Sequence, residues 1–256
     1  MFKIPKVLPK SFIQNPIAHR GYHNCNGNFT KGMGPENSRT SILHAIKEGF
    51  SIEIDIRFTK DYVPIVVHDN NLKRLCGVDN YLSDLTFNDL KSIKLNNNEY
   101  LPTLDEILKI VGGKVPIYIE FKKLRNYNDL INLKGELFCL LKKYSGPLAI
   151  MSFDMKLIAY FSQQDPSLIR GIILENYNAK NKIYYSKLET NITEYQMKKN
   201  GISFISFRYN KLTQEIYELN NRLQRKVITW TVNSELKAKK ANEISDNITF
   251  EGFEPI

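Results

Sequence analysis

Residues 52–69 read Ile52-Glu53-Ile54-Asp55-Ile56-Arg57-Phe58-Thr59-Lys60-Asp61-Tyr62-Val63-Pro64-Ile65-Val66-Val67-His68-Asp69, and the folding of this stretch decides the architecture. Ile52–Phe58 is a strand candidate in which isoleucines alternate with charged side chains. Pro64–His68 is a second, mostly apolar one. Only Thr59-Lys60-Asp61-Tyr62-Val63 joins them. A parallel crossover needs about a dozen residues or more, so the two runs are expected to pair as an antiparallel hairpin over 52–68.

Seven further strand candidates lie outside the hairpin: Ile17–His19, Val115–Phe121, Leu148–Phe153, Ile169–Leu174, Ile202–Phe207, Val227–Val232 and Asn247–Phe250. Most are continuous apolar runs, the pattern of strands covered on both faces of a parallel sheet. Helical segments separate them. Ser38–Gly49 carries Ile42, Ala45 and Ile46 on one face and ends on a glycine. Thr103–Val111 opens with Thr103 and Glu106 at capping-box spacing. Removing one hairpin arm from the nine candidates leaves eight for a parallel βα repeat, so the expected fold is α/β, a (β/α)8 TIM barrel. With 256 residues and no Gly/Ser/Pro-rich linker, the chain is expected to form a single domain over 1–256.

Composition narrows the function classes. Hydrophobic residues at 42% and aromatics at 11% exclude a disordered or fibrous chain. Three cysteines, Cys25, Cys76 and Cys139, without CxxC spacing exclude a disulfide framework and a thiolate zinc site. Lys and Arg number 36 against 27 acidic residues, a formal charge of +9. That excess suits nucleic acid, an anionic membrane surface or a phosphate-bearing substrate. No run of five basic residues occurs and aromatics do not interleave with the basic ones, so a nucleic-acid partner is not expected. No apolar run reaches about 18 residues, so no transmembrane segment is expected, and transient membrane-surface contact stays open. The expected location is cytoplasmic.

The residues with chemistry to offer cluster at strand ends, where barrel enzymes place their catalytic groups. His19-Arg20-Gly21 follows the first strand, and Pro35-Glu36-Asn37 opens the first helix, with Ser38 as its cap. Glu53 and Asp55 stand two apart and therefore share a face, opposite Ile52, Ile54 and Ile56. Two unpaired carboxylates aimed into a barrel are very costly, so something positive must face them: a hard divalent cation or a Lys/Arg cluster. His68 closes a strand as His19 does, and Glu120 and Lys122 again stand two apart. Carboxylates for a cation, Arg20 and Lys122 for an anionic oxygen and two imidazoles for proton transfer together describe phosphodiester cleavage.

The strings HRG (19–21), PEN (35–37), EIDIRFTKDYVPIVVHDNNLKRLCG (53–77), LPTLDEIL (101–108), IEFK (119–122) and WTVN (230–233) resemble, in order, the glycerophosphodiester phosphodiesterase family. The resemblance implies a TIM barrel, one divalent cation, Mg²⁺ or Ca²⁺, and hydrolysis of small glycerophosphodiesters to sn-glycerol 3-phosphate and an alcohol. By motif position it implies Glu53, Asp55 and Glu120 as metal ligands, and His19 and His68 as the acid/base pair. Arg20 and Lys122 become phosphate contacts and Trp230 a wall of the substrate pocket. One histidine would deprotonate the glycerol 2-hydroxyl for attack on phosphorus while the other protonates the departing alcohol; water would then open the cyclic phosphate. The link at 22–34 is longer than the resemblance implies and is expected to lie over the active-site mouth. Two alternatives accompany this reading: a lysophospholipase D acting through the same barrel, and a catalytically silent phosphoester-binding protein.

Overall fold

The computed structural model describes residues 7–23, 34–133, 135–187 and 191–255. They form two compact units, one of Ala18–Pro147 and one of the residues up to Ile17 together with those from Leu148 onward.

In chain order the elements up to Pro147 are β1 (Ile17–Ala18), α1 (Arg39–Lys47), β2 (Ser51–Phe58), β3 (Pro64–Val66), α2 (Lys73–Cys76), α3 (Leu104–Val111), β4 (Ile117–Phe121) and α4 (Glu136–Lys143). β2 and β3 are antiparallel, with Ile56 opposite Val66 and Phe58 opposite Pro64, so the expected hairpin forms. On its other side β2 runs parallel to β4. Both faces of β2 are covered. Ile52, Ile54 and Ile56 are fully buried on one, and Glu53 and Asp55 are at most 1% exposed on the other. Ser38 caps α1 by accepting the Ser41 N–H, and Ser41 returns a bond to the Ser38 N–H. α3 starts with the expected box, Thr103 Oγ1 accepting from the Glu106 amide and Glu106 from the Thr103 amide.

From Leu148 the chain continues β5 (Leu148–Ser152), α5 (Met155–Gln164), β6 (Ile169–Leu174), β7 (Asn176–Asn178), β8 (Ile183–Tyr185), β9 (Ile192–Thr193), α6 (Glu194–Lys199), β10 (Phe204–Arg208), α7 (Gln214–Arg222), β11 (Lys226–Val232), α8 (Glu235–Glu243) and β12 (Asn247–Phe250). β5, β6, β10, β11 and β12 pair in that spatial order, all parallel. Their helices cover them through a core that includes Ile158, Ile172, Phe207, Ile216 and Val227. No described helix is long and apolar enough to cross a membrane.

All nine expected strands form, with shifted ends that have local causes. β1 stops at Ala18 because Arg20 and Gly21 turn to positive φ. β4 starts at Ile117 rather than Val115, since Pro116 has no N–H to pair, although its carbonyl accepts from Ile52. β3 ends at Val66, two residues before the expected end, but Val67 still donates to the Asp55 carbonyl. β10 starts at Phe204 rather than Ile202, after Gly201 in the left-handed region. The antiparallel meander of β7, β8 and β9 lies outside the nine sequence-predicted strands: its strands are two or three residues long, and of them only Tyr184 and Ile192 are buried.

Gly171 on β6 pairs with Phe204 on β10 and lies close against its ring. A Cβ there would fall 2.3 Å from the ring of Phe204 on β10. That ring is fully buried and has nowhere to move. Gly171→Ala is therefore expected to destabilise the fold by about 1–3 kcal/mol, measured as a lower urea midpoint at unchanged m-value.

Candidate active site

The register of β2 against β4 founds the site. It sets Asp55 beside Glu120 and Glu53 beside Tyr118, so three carboxylates converge from one face of two adjacent parallel strands. Oxygen atoms of Glu53, Asp55 and Glu120 lie within 4.8 Å of one another, and all three residues are buried.

Two left-handed turns deliver the polar groups that hold this cluster. Arg20 (φ 57°) and Gly21 (φ 79°) reverse the chain after β1 and aim the Arg20 amide at Glu53 Oε2, 2.9 Å away. Gly21 cannot be replaced without strain, because a Cβ would meet Ser41 Oγ at 2.6 Å and the Ser41 carbonyl carbon at 2.9 Å. Asn37 also has positive φ (57°), and its amide donates to the Arg20 carbonyl at 2.8 Å. Its side chain clasps Asp55 twice: Nδ2 donates to Oδ2 at 2.8 Å, and Oδ1 accepts the Asp55 N–H at 3.2 Å.

The two expected phosphate contacts sit against the same carboxylates. Lys122 Nζ lies 2.7 Å from Asp55 Oδ1 and also contacts Glu120. Arg20 Nε is 3.3 Å from Asp55 Oδ2, and its Nη1 donates to Glu36 at 2.8 Å. Glu36 is gripped from its other side by both terminal nitrogens of Arg74 at 2.8 Å. Arg74 Nε donates to Asp69 at 2.6 Å, and Asp69 Oδ1 is 2.7 Å from His68 Nδ1. A continuous chain of charge-assisted bonds thus runs from Arg20 through Glu36, Arg74 and Asp69 to His68. Arg57 fixes the same histidine from behind, its Nε donating to the His68 carbonyl at 2.6 Å. His19 Nε2 stands 3.9 Å from Glu53 Oε2.

The charge balance divides the three carboxylates. Burial opposes the charge on Asp55, but Lys122 and then Arg20 outweigh it and hold its carboxyl well below the usual range. Burial, reinforced by Asp55 and Glu120, pushes Glu53 well above the usual range. Burial also raises Glu120 in spite of Lys122. The cations respond in kind: Asp55 and Glu120 outweigh burial and raise Lys122, while Asp55, Glu36 and Glu53 do so for Arg20. Burial lowers His68, which favours neutral imidazole.

The residues fit a hard cation. Glu53 Oε1 is buried and lacks a hydrogen-bond partner among the described residues. The donor set is all carboxylate oxygen, the chemistry that Mg²⁺ and Ca²⁺ select.

Seven of the eight expected site residues, His19, Arg20, Glu53, Asp55, His68, Glu120 and Lys122, therefore lie in the unit of Ala18–Pro147. Trp230 belongs to the other unit, on β11, where its Nε1 donates to the Ser206 carbonyl at 3.0 Å and its ring meets Phe153 edge-on. Most of the 22–34 link, residues 24–33, lies outside the described residues. Sequence reasoning gave no role to Asn37, Arg57, Asp69 or Arg74. Asn37 carried a usable signal, a short polar residue next to a helix cap, but the pairing of Arg74 with Glu36 spans 38 positions and has no local signature.

Residues 19–246 match the model of the glycerophosphoryl diester phosphodiesterase family. The chain is 24% identical to YhdW of Bacillus subtilis (strain 168), provisionally named a glycerophosphodiester phosphodiesterase, over 88% of each chain. It is 28% identical to bovine glycerophosphodiester phosphodiesterase 1 over 61% of this chain and only 48% of that protein's length. The structure of an Oleispira antarctica phosphodiesterase in complex with the product sn-glycerol-3-phosphate is similar at TM-score 0.79 and 20% identity, over 94% of both chains. Together with a Parabacteroides distasonis structure at TM-score 0.73 and 22% identity over 91% of both chains, it shows the fold, the (β/α)8 barrel.

The raised Glu53 pKa has a stability consequence. An acid whose folded pKa exceeds its unfolded one weakens the fold as pH rises through that interval, so at neutral pH the ionised carboxylate opposes folding. Glu53→Gln is expected to raise the Tm of chelator-treated protein at pH 7. Saturating Mg²⁺ or Ca²⁺ should raise the Tm of the wild type and not of Glu53→Gln. Scanning calorimetry with and without the ion checks both.

Proposed function

Since the chain belongs to the glycerophosphoryl diester phosphodiesterase family, we propose that it hydrolyses glycerophosphodiesters to sn-glycerol 3-phosphate and an alcohol, with a divalent cation and two histidines. The family's chemistry is phosphoric diester hydrolysis, and this chain is an enzyme of that class. The observation that carries the finer reading is the carboxylate cluster, flanked by Arg20, Lys122, His19 and His68.

Glu53, Asp55 and Glu120 would hold the cation, either Mg²⁺ or Ca²⁺. When bound it supplies positive charge that polarises the phosphoryl group. Lys122 and Arg20 already face the carboxylates and supply further cationic donors for phosphate oxygens. His68 is held by Asp69 at Nδ1, which leaves Nε2 to take a proton. Its lowered pKa keeps it neutral near pH 7, as a general base requires. On this reading His68 takes the proton of the glycerol 2-hydroxyl, whose oxygen then attacks phosphorus. His19 protonates the alcohol as it leaves, and water opens the cyclic phosphate with the two roles exchanged. The first step gains from having nucleophile and electrophile in one molecule. Trp230 walls the substrate pocket in this scheme, and the whole chain, 1–256, works as one domain. We assign the reaction to the cytoplasm, where unpaired thiols such as Cys76 and Cys139 persist.

The test is turnover of glycerophosphocholine, glycerophosphoethanolamine and lysophosphatidylcholine by protein stripped with chelator, then resupplied with Mg²⁺ or Ca²⁺. The expected outcome is activity on the first two only after metal is restored. Activity confined to the lysolipid would replace this reading with the lysophospholipase D. His19→Ala and His68→Ala should each lower kcat by about 100- to 10,000-fold while the far-UV spectrum stays native. A wild-type rate in either variant removes that residue from the mechanism.

A further inference from the structure

A cavity of about 410 Å³ opens at the C-terminal ends of β2 and β4, lined by Arg57, Lys60, Lys122, Lys123, Arg125 and Asp129 among others. Five of these six are cations. Lys122 joins the cavity to the catalytic cluster, since the same Nζ lies 2.7 Å from Asp55 Oδ1. Arg57, Lys60 and Lys123 have no ion pair among the described residues, while Asp129 shares the wall. Arg57 is half-buried, and its Nε is spent on the His68 carbonyl. No carboxylate among the described residues comes within ion-pair distance of its guanidinium. Lys123 is exposed and has no ion pair among the described residues, whereas Arg125 is pinned to Asp84 at 2.7 Å. Polar groups complete the wall: Asn70 and Ser83 bond to each other there, at 3.2 Å and 3.3 Å.

A volume of this size suits a small polar ligand. Cations without ion-pair partners, with half-buried Arg57 among them, suit one that carries negative charge and disfavour a quaternary ammonium. We propose that this cavity is the subsite for the departing alcohol, and that it selects glycerophosphodiesters whose alcohol carries an anionic group, a carboxylate or a second phosphate. The inference rests on the proposed hydrolase activity and adds its substrate class. A phosphodiester at the Lys122 end of the cavity places its leaving group along Arg57 on β2 and Lys123 just past β4, two side chains that line the same space.

The experiment compares kcat/KM for glycerophosphoserine, for glycerophosphoglycerol bearing a terminal phosphate, and for glycerophosphocholine, in the wild type, Lys123→Ala and Lys123→Glu. Lys123 is exposed, so both variants should fold. The wild type is expected to favour at least one anionic substrate over the choline ester by about tenfold or more. Lys123→Ala should lower that ratio about threefold, and Lys123→Glu about tenfold. Preference for the carboxylate or for the phosphate substrate identifies which anion the cavity takes. If the wild type turns over the choline ester as well as both anionic ones, or the ratio is the same in all three proteins, the subsite assignment is wrong while the hydrolase reading stands. Turnover of none of the three, with Mg²⁺ or Ca²⁺ present, overturns both.

Discussion

Three carboxylates buried on one face of two adjacent strands are the constraint from which the surrounding structure follows. Unit charges about 4 Å apart interact by about 4 kcal/mol at an effective dielectric of 20, so like charges so placed must be compensated locally. The compensation is visible in every segment around them. Lys122 comes from just past the end of β4, the Arg20 guanidinium and amide from the turn after β1, and the Asn37 amide from the turn before α1. Asp55 Oδ2 alone takes contacts from both Arg20 and Asn37. The remaining deficit falls on Glu53 and Glu120, which burial raises in spite of Lys122, and Glu53 Oε1 has no hydrogen-bond partner among the described residues. A structural salt-bridge cluster would distribute its cations over all three acids. Leaving Glu53 and Glu120 under-compensated suits a cation.

The local backbone is bent to serve that compensation. Arg20 and Asn37 both adopt left-handed conformations, which cost a non-glycine residue about 1–2 kcal/mol. The two turns brace each other through the Asn37 amide and the Arg20 carbonyl, and Gly21 between them packs against the Ser41 backbone. The ion-pair chain from Arg20 to His68 extends the bracing across the site. It fixes the imidazole at Nδ1 through Asp69, while Arg57 fixes the backbone that carries it. His68 is thus held at both its imidazole and its backbone.

What the sequence made legible, and what it did not, follows from the range of the interactions involved. Period-two placement in β2 and β4 showed that Glu53 with Asp55, and Glu120 with Lys122, share faces, because that periodicity is local. The five-residue join at 59–63 identified the hairpin for the same reason. The caps of α1 and α3 were legible as short-range hydrogen-bond patterns. The register that sets Asp55 against Glu120 is not local, and neither is the grip of Arg74 on Glu36. Both depend on elements brought together only by the fold, and no spacing in the chain encodes them. The β7–β9 meander escaped for a different reason. Strands of two or three residues are too short for a hydrophobic period, and Tyr184 gains its burial from Tyr177 and from Asn220 on α7.

The formal charge of +9 has a different meaning once its distribution is known. Along one face of β2 the side chains run Glu53, Asp55, Arg57, and beside it Glu120 on β4 is followed by Lys122 one residue past the strand end, whose amide donates to the Ile56 carbonyl. Both strands therefore pass from acid to base as they approach their C-terminal ends, and the register keeps the two gradients in step. A net-neutral arrangement of the same residues could hold either a cation or an anion, but not both in a fixed order. The ordered gradient separates them. A cation is favoured at the buried acidic end, an anionic phosphodiester at the Lys122 boundary, and a further negative group at the outer, basic end. Most of the basic excess is dispersed over the surface and screened within about 10 Å at ordinary ionic strength. The few cations at the strand ends act at contact distance in partly desolvated surroundings, where screening is weak. Charge order along two strands, rather than total charge, is what suits this chain to a phosphodiester.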